Sequence, residues 1–520
     1  MNPLTNVLSY RYIICTILIF TAVHLQADDM DDVFVKTIKL STGKGTVYQL
    51  LKIVSEQSGY SFIYDSQIVE NDKKIRIKKG EYTLKDAIFA ITGNNRLKID
   101  VLKNHILLRL IDDKTDTTAI YNTESAAKII LRGSIYDDTT LKPIPYVNVS
   151  ITGTTIGSVT NQNGEFQLII HDPMDTSEIR LSHIGYETLV VDFSLLAGHL
   201  IDFFLKPNAI MLQEINVSAA NPIQVLNDLI KYKETNYPLA PAYLTCFYRE
   251  GIDYKQKNID LTEAVLQVYK SGSMYDSGYD QVKLIRKRRI VDQQKNDTIF
   301  PRMKSGINSC LVLDIIKELP DFIDPTNNSL YTYSFKNITT IDDRLVNIIT
   351  FIQKPSVLEP LYTGDLYVEV ESKALVEIQF EMNPQLVDKA TNNFIAKKTR
   401  NLNLSLQEAK YIVSYKSTIN GMYYINHIRG DIVFKLRKKN QLFSSPLHFW
   451  FEMVTCKTDT EDVKSFLRNE RLSPDNIFAE TIHPYDKNFW DSFNLILPEE
   501  RLIETMVNNL NEVIINTELQ

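Results

Sequence analysis

The sequence predicts a multidomain, mainly β protein with an α+β start: a small β-α-β repeat module, then a β-sandwich, then a curved antiparallel sheet or half-barrel with a few helices. Three observations carry this. Two helical stripes, each followed by a strand-like stretch, lie between residues 33 and 111. From 129 to 207 the apolar period changes to alternation, broken at regular intervals by turn residues. From 222 onward, alternating apolar runs follow one another with short turns between them.

A chain of 520 residues favours several domains over one core. Tyr 27 and Phe 23 against Gly 18 suit strands more than flexible repeats. With 57 basic and 64 acidic residues the formal charge is -7, so a dedicated nucleic-acid binder with its basic excess is not expected.

At the N-terminus Arg11 precedes an apolar run from Tyr12 to Val23, and Ala27 is followed by Asp28 and Asp29. A positive flank, a short apolar core and a small residue describe a signal peptide, residues 1–27, cleaved near Ala27. The rival is a retained anchor, but the run is short of the roughly 20 residues a span needs. Cys15 sits inside the run behind Ile14, which argues against an acylated lipoprotein. Three cysteines remain: Cys246, Cys310 and Cys456. Export permits one disulfide among them, while their wide spacing favours buried thiols.

In residues 33–111, Val47, Leu50, Leu51 and Val54 mark one face of a helix, with Thr46 and Gln49 as a capping box. Leu84, Ala87, Ile88 and Ile91 repeat the stripe behind Thr83. The strands expected to follow are Tyr60–Tyr64 and Leu97–Val101, the latter forming a hairpin with Ile106–Leu108 around Asn104. The stretch Ile38-Lys39-Leu40, Val47 to Val54, Ser58-Gly59-Tyr60 and Gly80-Glu81-Tyr82-Thr83-Leu84 with Ala87 resembles the short N-terminal (STN) domain of secretins and TonB-dependent receptors. That resemblance implies a periplasmic interaction module without catalysis. Residues 112–128 are polar and are expected to be a linker.

Residues 129–207 are read as a β-sandwich from alternating Ile130, Ile135, Val147, Val149 and Ile151, with turns at Asp137-Asp138, Pro143, Gly153, Gly157, Asn163-Gly164 and Gly185. Gly133, Pro143 to Val149, Gly153 to Asn161, Asn163-Gly164-Glu165-Phe166 and Leu181 to Tyr186 resemble the carboxypeptidase-regulatory-like sandwich of envelope proteins. The family commonly has Asp where Asn161 stands. This sandwich is an accessory to some metallopeptidases and carries no zinc. The histidines of the chain form no metal-binding helix motif, and His183 with Glu187 falls in a strand–turn region where i,i+4 spacing does not converge. No metal site and no cofactor are expected.

Leu212 to Ala219 resembles the segment linking sandwich to plug in outer-membrane nutrient receptors, here part of a linker over 208–221. The rest, 222–520, is too polar and irregular for a transmembrane barrel. A helix is expected over 222–236, with Pro222 in its first turn and Val225, Leu226, Leu229 and Ile230 as its stripe. Strands are expected at Leu345–Ile352, Leu366–Val370 and Leu375–Met382. Further ones are Tyr411–Tyr415 and Tyr423–Ile425 around Asn420-Gly421, then Asp431–Leu436 and Phe449–Val454. Tyr237-Pro238, Phe247 to Glu250, Glu263-Ala264-Val265, Tyr269-Lys270, Gly364 to Val368, and His483 to Trp490 resemble an envelope family of unknown function. The Gly364 hairpin is also similar to the open barrel of periplasmic lipoprotein carriers, at the level of fold.

Candidates for binding are few. Lys283, Arg286, Lys287, Arg288 and Arg289 form a basic cluster that would suit lipid phosphates, weighed against a charged sheet edge that discourages pairing. Trp450, with Phe449 and Phe451, would line an apolar cavity or pack the core. Arg249-Glu250 with Tyr248 would orient a ligand, weighed against the commoner local ion pair at a strand end. Asp342-Asp343 and Glu499-Glu500 are adjacent pairs that do not make an acid/base dyad by spacing. No catalytic residue is singled out.

Together the resemblances imply a non-enzymatic interaction protein of a Gram-negative cell envelope. It would be exported, in the periplasm or peripheral to the outer membrane. Its partners would be periplasmic or outer-membrane proteins, with an apolar or lipid ligand as an option. A hydrolase of envelope polymers with an unrecognised active site in the C-terminal domain is the alternative. A degenerate nutrient receptor that signals without transport is the third.

Overall fold

The structure is a computed structural model. It describes residues 33–64, 68–102, 105–111, 128–171, 178–192, 196, 200–208, 220–272, 279–291, 302–304, 306–327, 329–397, 401–439, 441–473, 476–481, 493–499 and 502. The chain divides into two compact units, one of residues 1–123 with 199–204 and one of 124–198 with 205–520. The expected signal peptide, most of the first linker, Asn104, the segment from Leu212 and His483 to Trp490 lie outside the described residues.

The smaller unit runs β1 (Thr37–Leu40), β2 (Lys44–Thr46), α1 (Val47–Ser58), β3 (Ser61–Tyr64), β4 (Lys74–Arg76), β5 (Gly80–Thr83), α2 (Leu84–Thr92), β6 (Leu97–Leu102) and β7 (His105–Leu110). Thr46 Oγ1 accepts from Gln49 N, and the Gln49 side chain accepts from Thr46 N, which completes the capping box of α1. Thr83 caps α2 by accepting from Asp86 N. Both helices end on a left-handed glycine, Gly59 and Gly93. Their stripes bury Leu50, Leu51, Val54, Leu84, Ala87 and Ile88 over β3 and β7, which pair in parallel, while β6 and β7 form the expected antiparallel hairpin.

The larger unit begins with the sandwich: β8 (Lys128–Asp137), β9 (Asn148–Ile151), β10 (Gly157–Val159), β11 (Glu165–His171), β12 (Glu178–Ser182) and β13 (Leu189–Asp192). β11 pairs with β8, and β10-β9-β12-β13 form a second sheet. Leu131, Ile135, Val149, Phe166, Leu168, Ile179 and Leu181 are buried in it. The next strand, β14 (Leu200–Leu205), groups mostly with the smaller unit, where Asp202 pairs with Tyr64.

After α3 (Pro222–Lys231) and α4 (Lys233–Asn236) come β15 (Ala242–Tyr254), β16 (Lys257–Lys270), β17 (Gln281–Val291), β18 (Arg302–Met303) and α5 (Gly306–Val312). Then follow β19 (Tyr331–Ile341), β20 (Arg344–Gln353), β21 (Tyr362–Glu369), β22 (Leu375–Met382), β23 (Ile395–Lys397), β24 (Leu402–Ser417), β25 (Tyr423–Lys438) and β26 (Ser445–Asp459). Ten of these strands make one curved antiparallel sheet in the order β17-β16-β15-β26-β25-β24-β22-β21-β20-β19, which does not close into a barrel.

Two expectations change here. The helix expected over 222–236 breaks at Tyr232, whose φ and ψ of -92° and 6° leave the helical region; the chain beyond is tied elsewhere, by Asn236 to the Ser372 carbonyl. The runs Tyr423–Ile425 and Asp431–Leu436 are one strand, because the polar residues between them, including His427 and Arg429, are buried rather than looped out.

Candidate functional site

The two faces of the ten-stranded sheet differ in chemistry. One carries Leu244, Cys246, Tyr248, Ile378, Val413, Ile425, Ile428, Phe449 and Phe451, and packs against the helices. Asn221 caps α3 through Ile223 N, and the stripe of Val225, Leu226 and Leu229 lies on this face. α5 approaches so closely that a Cβ on Gly306 would meet Tyr248 Oη at 2.2 Å. Most of the face is therefore solid core.

A cavity of about 90 Å³ lies where α4 and the segment Tyr237–Ala240 bridge the ends of β15, β16, β24 and β25. Its floor is apolar and aromatic: Leu244, Ile316, Tyr415, Tyr424 and Ile425. Its rim is charged in both senses: Lys233, Lys270 and Lys317 with Glu234 and Asp314. Lys270 Nζ pairs with Asp314 at 2.5 Å and with Asp280, while Lys317 Nζ reaches Asp280 at 2.5 Å and Ser271 Oγ at 2.6 Å. Tyr415 donates its hydroxyl to Asp314 at 3.0 Å. Burial alone would lower Lys270, but Asp314 and Asp280 hold it above the usual lysine range. Burial lowers Lys233, which donates to the Lys317 carbonyl at 3.2 Å instead of to a carboxylate. Three lysines thus meet three carboxylates, Glu234, Asp280 and Asp314, and the arrangement offers an apolar pocket with a charged, balanced mouth.

The opposite face buries charge. Arg249 Nε meets Glu452 at 2.8 Å and Arg249 Nη2 meets Glu499 at 2.8 Å, all three side chains almost inaccessible. His427 Nε2 lies 3.0 Å from Glu452, and Arg429 grips Asp431 with two bonds of 2.9 and 2.8 Å. The Trp450 ring lies 4.7 Å from the Arg429 guanidinium and 5.5 Å from that of Arg249. Tyr146 of the sandwich, at φ 62°, stacks on His427 with ring centroids 4.6 Å apart. A strap, residues 493–499, closes over this face. Ser158 Oγ and Asn161 Nδ2 donate to the Leu495 and Leu497 carbonyls, and Ile169 N donates to Asn494 Oδ1. Leu495 and Ile496 pack with Val159, Phe247, Val265 and Val454.

Of the residues singled out from sequence, Trp450 and Arg249 fall on this strap face and the basic cluster on the edge strand, apart from the cavity, while Phe449 and Phe451 belong to the core of the other face. Trp450 is fully buried, and its Nε1 has no hydrogen-bond partner among the described residues. Arg288 Nε is bound to Glu263 at 2.6 Å and Arg289 holds Asp260 with two bonds of 3.0 and 2.6 Å. Arg286 Nη1 donates to the Ile285 carbonyl at 3.1 Å. Lys287 Nζ donates to the carbonyls of Ala479 and Thr481, and Lys283 to Glu470. β17 is thus an edge strand whose cations are engaged by neighbouring chain. Arg249 and Glu250 point to opposite faces, and Glu250 instead accepts from Tyr248 Oη at 2.6 Å. The three cysteines are buried free thiols. Among the described residues no group of His, Cys, Asp and Glu could hold a metal ion. None of the helices among them is long and apolar enough to cross a membrane.

Sequence reading missed the rim. Lys233, Lys270, Asp280 and the Asp314–Lys317 turn come from four separate segments, and no motif announces their meeting.

Residues 131–217 match the family model of the CarboxypepD_reg-like domain, the accessory sandwich expected from sequence. No curated protein matches the chain. Similar solved structures include a domain described as an outer membrane lipoprotein-sorting protein from Vibrio parahaemolyticus, at 9% identity and a TM-score of 0.20, covering 48% of this chain and 96% of that one. A DUF1329 family protein from Desulfovibrio piger aligns at 11% identity and a TM-score of 0.21, over 47% and 96%. Lipovitellin aligns at 7% identity and a TM-score of 0.23, over 51% and 28%. Overlaps this low carry neither fold nor function across to this chain.

Proposed function

We propose that this chain is a non-enzymatic binding protein of the cell envelope, exported to the periplasm, whose large sheet takes the apolar end of an amphiphile. The observation that carries the reading is the cavity under α4, with its floor of Leu244, Tyr415, Tyr424 and Ile425 and its rim of lysines and carboxylates. Such a pocket suits an acyl chain end or similarly compact apolar group with a polar head at the mouth. The remaining face is filled by core, so the cavity takes part of a lipid. The regulatory-like sandwich and the receptor-like first module support a role for the N-terminal half in contacting other envelope proteins.

The test is titration of the purified chain, residues 28–520, with a dansyl-labelled medium-chain fatty acid followed by fluorescence. One saturable site is expected, weakened at least tenfold by Ile425→Trp, which fills the floor. Folded protein that binds no probe saturably, or binds it equally after Ile425→Trp, overturns the reading.

A further inference from the structure

A second cavity, of about 40 Å³, lies within the larger unit where the sandwich meets the ten-stranded sheet. Asn148 and Ser182 line it from β9 and β12; Asp342, Arg344, Ser414 and Lys416 line it from the sheet. Its lining carries two cations, Arg344 and Lys416, and two carboxylates, Asp342 and Glu377, which are not all paired with one another. Arg180 Nε pairs with Asp342 at 2.9 Å, and Arg344 reaches the same carboxylate at 3.6 Å while binding Glu369 at 2.8 Å. Lys416 also faces Asp342, yet among the described residues it forms no ion pair with it or with any other carboxylate. Its ammonium ends beside the β9–β10 backbone, 3.6 Å from where a Cβ on Gly157 would stand. Glu377 on the cavity wall accepts from Gln379 at 2.6 Å and forms no ion pair with Lys416 among the described residues; burial raises its carboxyl to about 7.

A half-buried ammonium that touches no carboxylate is costly unless water or an anion satisfies it. The cavity has room for roughly three waters, which is the size of a small carboxylate. The hydroxyls of Ser182 and Ser414 stand on the walls as further donors. We propose that this junction cavity binds a small carboxylate anion of formate or acetate size, held by Lys416. The inference does not rest on the amphiphile reading, although Tyr415 and Tyr423 line both cavities. The bound anion would tie the sandwich to the sheet by neutralising Lys416 at their contact.

The experiment is a titration of the full mature chain with ¹³C-acetate, monitored by NMR line broadening at constant ionic strength. Wild type is expected to saturate. Lys416→Met is expected to weaken binding at least tenfold, and Lys416→Arg to restore most of it. Lys416→Gln replaces Lys416→Met if the apolar side chain prevents folding. Absence of saturable binding, undiminished binding in the folded neutral variants, or tighter binding of sulfate than of acetate each overturns the proposal.

Discussion

Asn161 Nδ2 donates to the Leu497 carbonyl at 3.1 Å, so a turn of the sandwich holds the strap that crosses the large sheet. The same amide nitrogen donates to Glu165 at 2.9 Å, while Asn161 Oδ1 accepts from Asn163 N and Glu165 N. An aspartate, common here in similar sandwiches, would keep the two accepting bonds and lose both donated ones. Asn161→Asp is therefore expected to destabilise the chain by about 1–3 kcal/mol at neutral pH, read as a lower urea midpoint. Hydrogen exchange should quicken at Ile169 N, which donates to Asn494 of the strap. Unchanged exchange there would show that the strap does not depend on this amide.

Arg249 sits between Glu452 and Glu499 and also donates to the Leu497 carbonyl at 3.2 Å. Arg249→Met leaves two carboxylates buried without their cation, a loss of about 3–5 kcal/mol. Arg249→Lys keeps a charge but not the planar fork, and should fall between wild type and Arg249→Met in chemical denaturation. A Met variant as stable as wild type would mean that Arg429 and His427 suffice.

The elements that sequence reveals are the local ones. The Thr46–Gln49 capping box, the Thr83 cap and the Asn420-Gly421 turn are written in neighbouring residues, and each forms as read. The Arg249–Glu452 pair joins residues 203 positions apart, and its members look like ordinary surface charges in their own strands. For the same reason β25 reads as two strands, since His427, Arg429 and Asp431 interrupt its apolar pattern while serving the buried network. Arg288 and Arg289 read as a free basic patch because their partners, Glu263 and Asp260, lie on the preceding strand of the sheet.

Gly251 lies directly opposite Trp450 across β15 and β26, and a Cβ there would sit 2.5 Å from the indole. Gly430 stands in the same relation to Phe451 across β25 and β26. Each glycine gives a large ring room to lie over the neighbouring backbone. Gly251→Ala is expected to cost about 1–3 kcal/mol by overpacking. Trp450→Leu in the same chain should recover part of that loss, a non-additivity that a double-mutant cycle measures. Strict additivity would show that the indole and Gly251 are not in contact.

The buried carboxylates also fix how stability depends on pH. Burial alone would raise the Glu452 carboxyl, but Arg249, the His427 hydrogen bond and Arg429 outweigh it and hold it at about 2, against an ordinary 4.5. Between those values the unfolded chain carries a proton on Glu452 that the folded chain does not, so stability rises with pH across this window. The contribution is fully present above about 4.5 and is lost as pH falls towards 2. Asp431 acts in the same sense, its carboxyl held far down by Arg429 and His448 against the effect of burial. His448 has the opposite sign. Burial would lower it, but Asp253 and Asp431 raise it, so its contribution is present below its ordinary 6.5 and is lost as pH rises through the raised value. Urea melts of wild type and Glu452→Gln between pH 2 and 6 should therefore converge at the acid end, with wild type more stable above 4.5. Parallel curves over the whole range would mean that Glu452 does not carry the charge that Arg249 faces.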